Sequence, residues 1–329
     1  ITAMDMAFER DSAYYDIFIT TKTSELRDID DGRNIVHYFV QTKNEKAINY
    51  CVKKNIPLSV PDANGKTPLD LAFQSIDDIE SVEIAASLIL NGAEQVESDY
   101  DYFQTAVMNR NLNYRFDDGQ TTLHIASIFG HTPVIRYLLE NNALTNVQDS
   151  SGASPLHEAV RYGRYQIAQL LLQASADPNA RDNLGKTPVL LIMPEEQRAQ
   201  LYSLLLNKGA DISVKDMYGD TVLHTATMTT VPVDILKTLV SAGADINARN
   251  KEGVTPLAIA IENNVIDHIR FYADNGADIN TKNTEGETPL TMALKSSENL
   301  LEIIVNKNNV NSQDSDGNTP LNVAIIQNT

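Results

Sequence analysis

The chain is 329 residues long, 42% apolar, and carries a formal net charge of −18. That composition supplies an ample core, and the acidic balance excludes a phosphate-binding surface for nucleic acid or docking on an anionic membrane. A single cysteine, Cys51, permits no internal disulfide and fits a reducing compartment, weakly favouring a cytoplasmic setting, as it also fits many secreted bacterial proteins, and no run of about 18 apolar residues could span a bilayer.

Taken from the N-terminus, Thr2-Ala-Met-Asp-Met-Ala-Phe8 reads like Thr67-Pro-Leu-Asp-Leu-Ala-Phe73, so the chain opens inside a repeated unit, just past its turn. Cys51 falls on an expected second helix, Ala47-Ile-Asn-Tyr-Cys51-Val, where a buried packing role is expected. The full phrase first stands at Asp62-Ala-Asn-Gly65-Lys-Thr67-Pro68-Leu69, and its glycine returns at 119, 152, 185, 219, 253, 286 and 317. Each position has a physical reason. The glycine supplies the positive φ of a tight turn, Thr caps a helix, and Pro at the first helical position gives up an N–H that has no partner there. Leu and Ala at spacings of three and four make a narrow apolar face. A second helix follows, as in Val134-Ile-Arg-Tyr-Leu-Leu139, and closes on Asn-Gly or Lys-Gly.

Three places break the beat. Gly65 to Gly119 is too long for one period and too short for two, and after Ala106 the second helix is expected to be missing. Residues 98–118 therefore read as a kink or change of stacking: either a degenerate but tolerated unit, or a hinge or notch using Tyr100, Tyr102 and Tyr114. Leu190-Leu-Ile-Met193-Pro194 puts Pro194 at the start of a second helix, and Thr229-Thr-Val-Pro232 adds one residue before the next. The last phrase, Thr319 to Thr329, stops after one helix, so both ends look uncapped and the chain is expected to be a fragment of a longer protein.

A period near 33 carrying Thr-Pro-Leu-His-x-Ala, as in Thr121-Thr-Leu123-His124-Ile-Ala126 and Ser154-Pro155-Leu156-His157-Glu-Ala159, resembles the ankyrin-repeat family over essentially the whole chain, with eight copies in register. The resemblance implies an all-α solenoid of stacked helix-turn-helix units with projecting hairpin loops, irregular near 98–118. The expected organisation is N-terminal repeats over 1–97, a degenerate half repeat over 98–118, and C-terminal repeats over 119–329. It also implies that His37, His124, His157 and His224, which share one slot, bond structurally to neighbouring loop backbone.

No phosphate loop, dinucleotide fingerprint or nucleophile elbow occurs. His157-Glu158-Ala-Val-Arg161 begins like a zinc-binding helix, but Arg161 stands where the second histidine belongs. Asp149, Asp182, Asp216 and Asp314 precede their glycines by three and read as turn-forming side chains, not a calcium array. The expectation is a chain without catalytic, cofactor or metal sites and without a small-molecule substrate. Members of the family mostly bind through hairpin tips and the exposed side of the first helix. Here those places hold Phe129, Arg161, Tyr162, Leu184, Met217 and Tyr218, the expected contacts for a partner protein of unknown identity. A basic column, Arg181, Lys215, Arg249 and Lys282, reads as a solvated edge able to steer an acidic partner strip. The leading function is a protein-interaction module or scaffold. The alternatives are a targeting arm for an enzyme or effector domain outside this chain, and a weakly self-associating array.

Overall fold

The repeated Thr-Pro pair starts helices by local chemistry. In the computed structural model, Thr67 accepts the Asp70 N–H while the Asp70 carboxylate accepts the Thr67 N–H at 2.7 Å, a reciprocal cap ahead of Pro68. The structure describes residues 32–76, 78–93, 100–193, 199–296 and 298–327, and among them the chain is all-α with no β-sheet. Hairpin loops form because an Asp three residues before the glycine accepts two backbone N–H groups. Asp182 Oδ1 takes those of Leu184 and Lys186 at 2.9 and 2.8 Å, and Asp62, Asp149, Asp216 and Asp314 repeat the pattern. These bonds hold the carboxyls of Asp62 and Asp314 below their ordinary range.

The chain divides into two compact units, Ile1–Leu144 and Thr145–Thr329. In the first, α1 (Ile35–Gln41) pairs with α2 (Glu45–Lys53), and α3 (Pro68–Gln74) with α4 (Ile79–Leu90). First helix stacks on first helix and second on second, around fully buried Phe39, Ile48, Leu69, Ile84 and Leu88. Cys51 is buried on α2 as expected, and burial pushes its thiol up to about 12.

Next comes α5 (Asp101–Met108), followed by a loop and no second helix before α6 (Thr122–Phe129) and α7 (Thr132–Glu140). Helix α5 packs on the next first helix, α6, as a first helix does, but also on the preceding second helix, α4, while α4 packs directly on α7. The loop after α5 is nevertheless the one that elsewhere follows a second helix. Asn113 Oδ1 accepts the Leu144 N–H at 2.8 Å, as Asn146, Asn179 and Asn247 accept those of Asp177, Asp211 and Asp278. One helix thus enters like a first helix and leaves like a second.

In the second unit, α8 (Pro155–Arg161) and α9 (Tyr165–Gln173) lead to a 3₁₀ turn, Pro188–Leu191, in place of a first helix. Pro194 disfavours helical backbone at Met193, and Ile192 is already extended at ψ 116, so the element ends early. The expectation that Pro194 begins the next helix lies outside the described residues, as does the reading of Thr2 to Phe8. The pairs α10 (Ala199–Asn207), α11 (Val222–Met228) with α12 (Val233–Ser241), α13 (Pro256–Glu262) with α14 (Ile266–Asp274), α15 (Pro289–Ser296) with α16 (Glu298–Ile304), and α17 (Pro320–Gln327) follow. The extra residue before Val233 has a partner: His268 on α14 bonds through Nε2 to the Val231 carbonyl at 2.6 Å.

Candidate partner-binding surface

The scaffold behind the surface is built from histidines and fingers. Ser154 N–H donates to His157 Nδ1 at 3.0 Å, which leaves Nε2–H to donate to the Lys186 carbonyl at 3.1 Å in the next loop. His224 joins Thr221 to the Val254 carbonyl, and His37 joins Asn34 to that of Lys66, in the same way. His124 makes the same cap with Thr121. These rings are fully buried, and desolvation holds His157 and His224 below the ordinary imidazole value. Structural bonding thus occupies the shared histidine slot, and for His37, His157 and His224 it reaches the neighbouring loop backbone as the resemblance implied.

The fingertips of the second unit are tied to one another by backbone bonds. Asn183 N–H donates to the Ser151 carbonyl, Met217 to Leu184, Lys251 to Tyr218 and Thr284 to Glu252, at 2.7 to 2.9 Å. The basic column joins this ladder. Lys215 Nζ donates to the Arg249 carbonyl and Arg249 to that of Lys282, each at 2.8 Å, and Lys282 pairs with Asp316 at 2.9 Å. The column is solvent-exposed, and three of its side chains, Lys215, Arg249 and Lys282, also tie one finger to the next.

On this frame Leu184, Met217 and Tyr218 stand 43%, 46% and 54% exposed, and the ladder bonds bring the first two side by side. Tyr162, the C-cap of α8, is 44% exposed. Arg161 is partly engaged inside the molecule: its guanidinium meets buried Glu158 at 3.1 Å. Burial raises the Glu158 carboxyl, with Arg161 opposing and Asp149 and Asp182 adding to the rise. Phe129 belongs to the first unit, where it is exposed at the end of α6 and stacks on His131 at 5.6 Å between ring centres. The structure thus gathers Leu184, Met217 and Tyr218 on neighbouring fingers and assigns Phe129 to the other unit.

In the irregular repeat, Tyr100 and Tyr102 converge on His131, the Tyr102 hydroxyl lying 2.8 Å from its Nδ1, while Tyr114 packs edge-on against Phe116. The expected trio is therefore a pair. Exposed Met193 and Met228 were missed among the candidate contacts. Met228 sits two residues after core Ala226, as Ile128 does after Ala126, so its slot was readable. Gln104 stands two residues before Ala106, the histidine slot, yet it is fully buried and neither amide atom finds a partner among the described residues.

The family model described as ankyrin repeats (3 copies) matches residues 98–182, 190–283 and 266–329. The chain belongs to the ankyrin-repeat family. Comparison with the curated proteins finds no match. Ankyrin repeats generally serve as protein–protein interaction modules. The match begins at the irregular unit, yet the ankyrin grammar extends further toward the N-terminus: α3 has its Thr-Pro cap and α1 its histidine bond to the next loop. No described helix is long and apolar enough to cross a membrane.

Proposed function

We propose that this ankyrin array holds a partner protein through the second unit, with Tyr162, Leu184, Met217 and Tyr218 as apolar anchors and Arg161 at their edge. Phe129 is a separate contact offered by the first unit. The observation that carries the reading is the pairing of exposure with rigidity. Large apolar side chains stand roughly half exposed on fingers held by backbone ladder bonds and histidine bridges. Such side chains lose little conformational freedom on binding, and aromatic anchors in a preformed surface dominate interface energies. The anchors are spread over neighbouring repeats, which suits a partner segment running along the array. The finger carboxylates of Asp182 and Asp216 are turned into their own loops, so the local recognition is apolar in character.

The test uses the partner that the wild-type chain retains from its native extract, identified by mass spectrometry. A photo-reactive phenylalanine analogue replaces Met217 in one variant and Val310, which is also exposed but lies outside the proposed contact, in another. Cross-linking to the partner from position 217 and not from 310 is the expected result. The reverse pattern, or equal yields, overturns the assignment.

A further inference from the structure

The compressed repeat leaves a cleft of about 510 Å³ in the first unit. It is bounded by two second helices, α4 and α7, and by the loop that stands where a second helix is missing. Its walls are Leu90 at the end of α4, Val107 of α5, Leu112 of the loop and Tyr137 of α7, with Arg110 and Asn91 at the mouth. Leu90 is exposed into it.

Carboxylates flank this apolar opening. Glu83 lies two turns before Leu90 on α4, and Glu140 one turn after Tyr137 on α7. Both are exposed. Among the described residues neither has an ion pair. Desolvation raises the Glu83 carboxyl, and the charges that add to the rise are those of Glu45, Glu140 and Glu80, all of one sign. Glu83 in turn adds to the rise of the Tyr137 phenol. Arg136, the exposed cation of α7, makes no ion pair with either carboxylate among the described residues. Like charges from three helices thus converge beside an apolar opening in which Arg110 is the one lining cation, and among the described residues no ion pair balances Glu83 or Glu140.

We propose that this cleft docks an amphipathic segment of a partner protein that places an apolar side chain between Leu90, Val107, Leu112 and Tyr137 and a lysine or arginine between Glu83 and Glu140. The inference rests on the reading of the chain as an interaction module but uses a different surface, in the other unit. The Arg110 guanidinium has no hydrogen bond or ion pair among the described residues and lines the cleft, where it meets backbone carbonyls of the docked segment. An apolar anchor with a basic neighbour relieves both the exposed lining and the unbalanced carboxylates.

The probe is a fluorescein-labelled amphipathic peptide of leucine and lysine, titrated with the whole chain at near-physiological ionic strength and followed by anisotropy. A peptide of leucine and glutamate in the same pattern is the control. The Leu/Lys peptide is expected to bind and the Leu/Glu peptide to bind at least about tenfold more weakly. Glu83→Gln with Glu140→Gln is expected to weaken binding about fivefold and flatten its salt dependence, and Leu90→Ser to weaken it by a similar factor. Tyr162→Ala with Tyr218→Ala leaves it unchanged. Removing like charges does not destabilise the fold, so the glutamine variant remains informative even if Leu90→Ser unfolds. The proposal is overturned by absence of Leu/Lys binding, by equal binding of the two peptides, or by affinity indifferent to both cleft variants, which would mark a general attraction to an acidic chain. It is also overturned if the wild-type chain dimerises and Leu90→Ser abolishes the dimer, since the occupant is then a second copy.

Discussion

The histidines carry two jobs at once, and both depend on their being neutral. Nδ1 accepts from the cap residue and Nε2–H donates to the next loop, so a proton on Nδ1 breaks the cap. His157 and His224 are held below the ordinary imidazole value by burial. The unfolded chain therefore takes up protons first as pH falls. The stability these rings give is complete above about pH 6.5 and is lost as pH drops through the folded value. Calorimetry across this range should show the thermal midpoint falling below about pH 6.5. His224→Gln should lower the midpoint at neutral pH and flatten that slope; an unchanged slope would remove His224 as a contributor. Gln104 is the converse case. A buried amide with no partner costs about 1–3 kcal/mol, so Gln104→Leu is expected to stabilise the chain by about 1 kcal/mol in urea titration. At this scale the sequence was readable where partners are near in the chain, as in the cap and the turn aspartate, and the histidine bond to the next loop, 29 residues on for His157, was reached through the family resemblance. It was silent on His268, whose acceptor lies 37 residues away, and on Glu158, whose burial depends on what stacks over it.

Elements are tied by fingers, and the ties differ along the second unit. A Cβ on Gly219 would lie 2.7 Å from the Lys251 nitrogen, whereas one on Gly286 would meet nothing within 4 Å. Both glycines have φ near +80°, so alanine at either costs about 1 kcal/mol in backbone strain. Gly219→Ala must also push a neighbouring finger away, so it should cost about 1–2 kcal/mol more than Gly286→Ala in parallel urea titrations. Equal costs would mean that the ladder yields freely. The missing helix after α5 was legible because a fixed period makes a deletion countable. That the loop after α5 resumes the second-helix pattern at Asn111 and Asn113 was not, since Asn-Leu-Asn hides the usual Ala-Asp-x-Asn. The 3₁₀ turn at Pro188–Leu191 was likewise hidden: Thr-Pro announces a helix, and only Pro194 downstream cuts it short.

At the scale of the molecule, repeats have no core of their own and are stable only through neighbours. Substitutions in the buried histidine bridges should thus report on stability, and substitutions on exposed anchors on binding alone. The family and its helix-pair architecture could be read from the period. The contact surface could be read only as slots, because exposure depends on how each ring settles against the next repeat. Tyr162, Leu184, Met217 and Tyr218 did remain exposed, and so did the basic column, in which Lys215 and Arg249 also bond to carbonyls of the next finger. The measurement that tests the central claim most directly is the affinity of the captured partner for Tyr162→Ala with Tyr218→Ala, by calorimetric titration, with the fold checked by circular dichroism. A loss of about thirtyfold or more with the fold intact is the predicted result. Wild-type affinity in a folded double variant would contradict it.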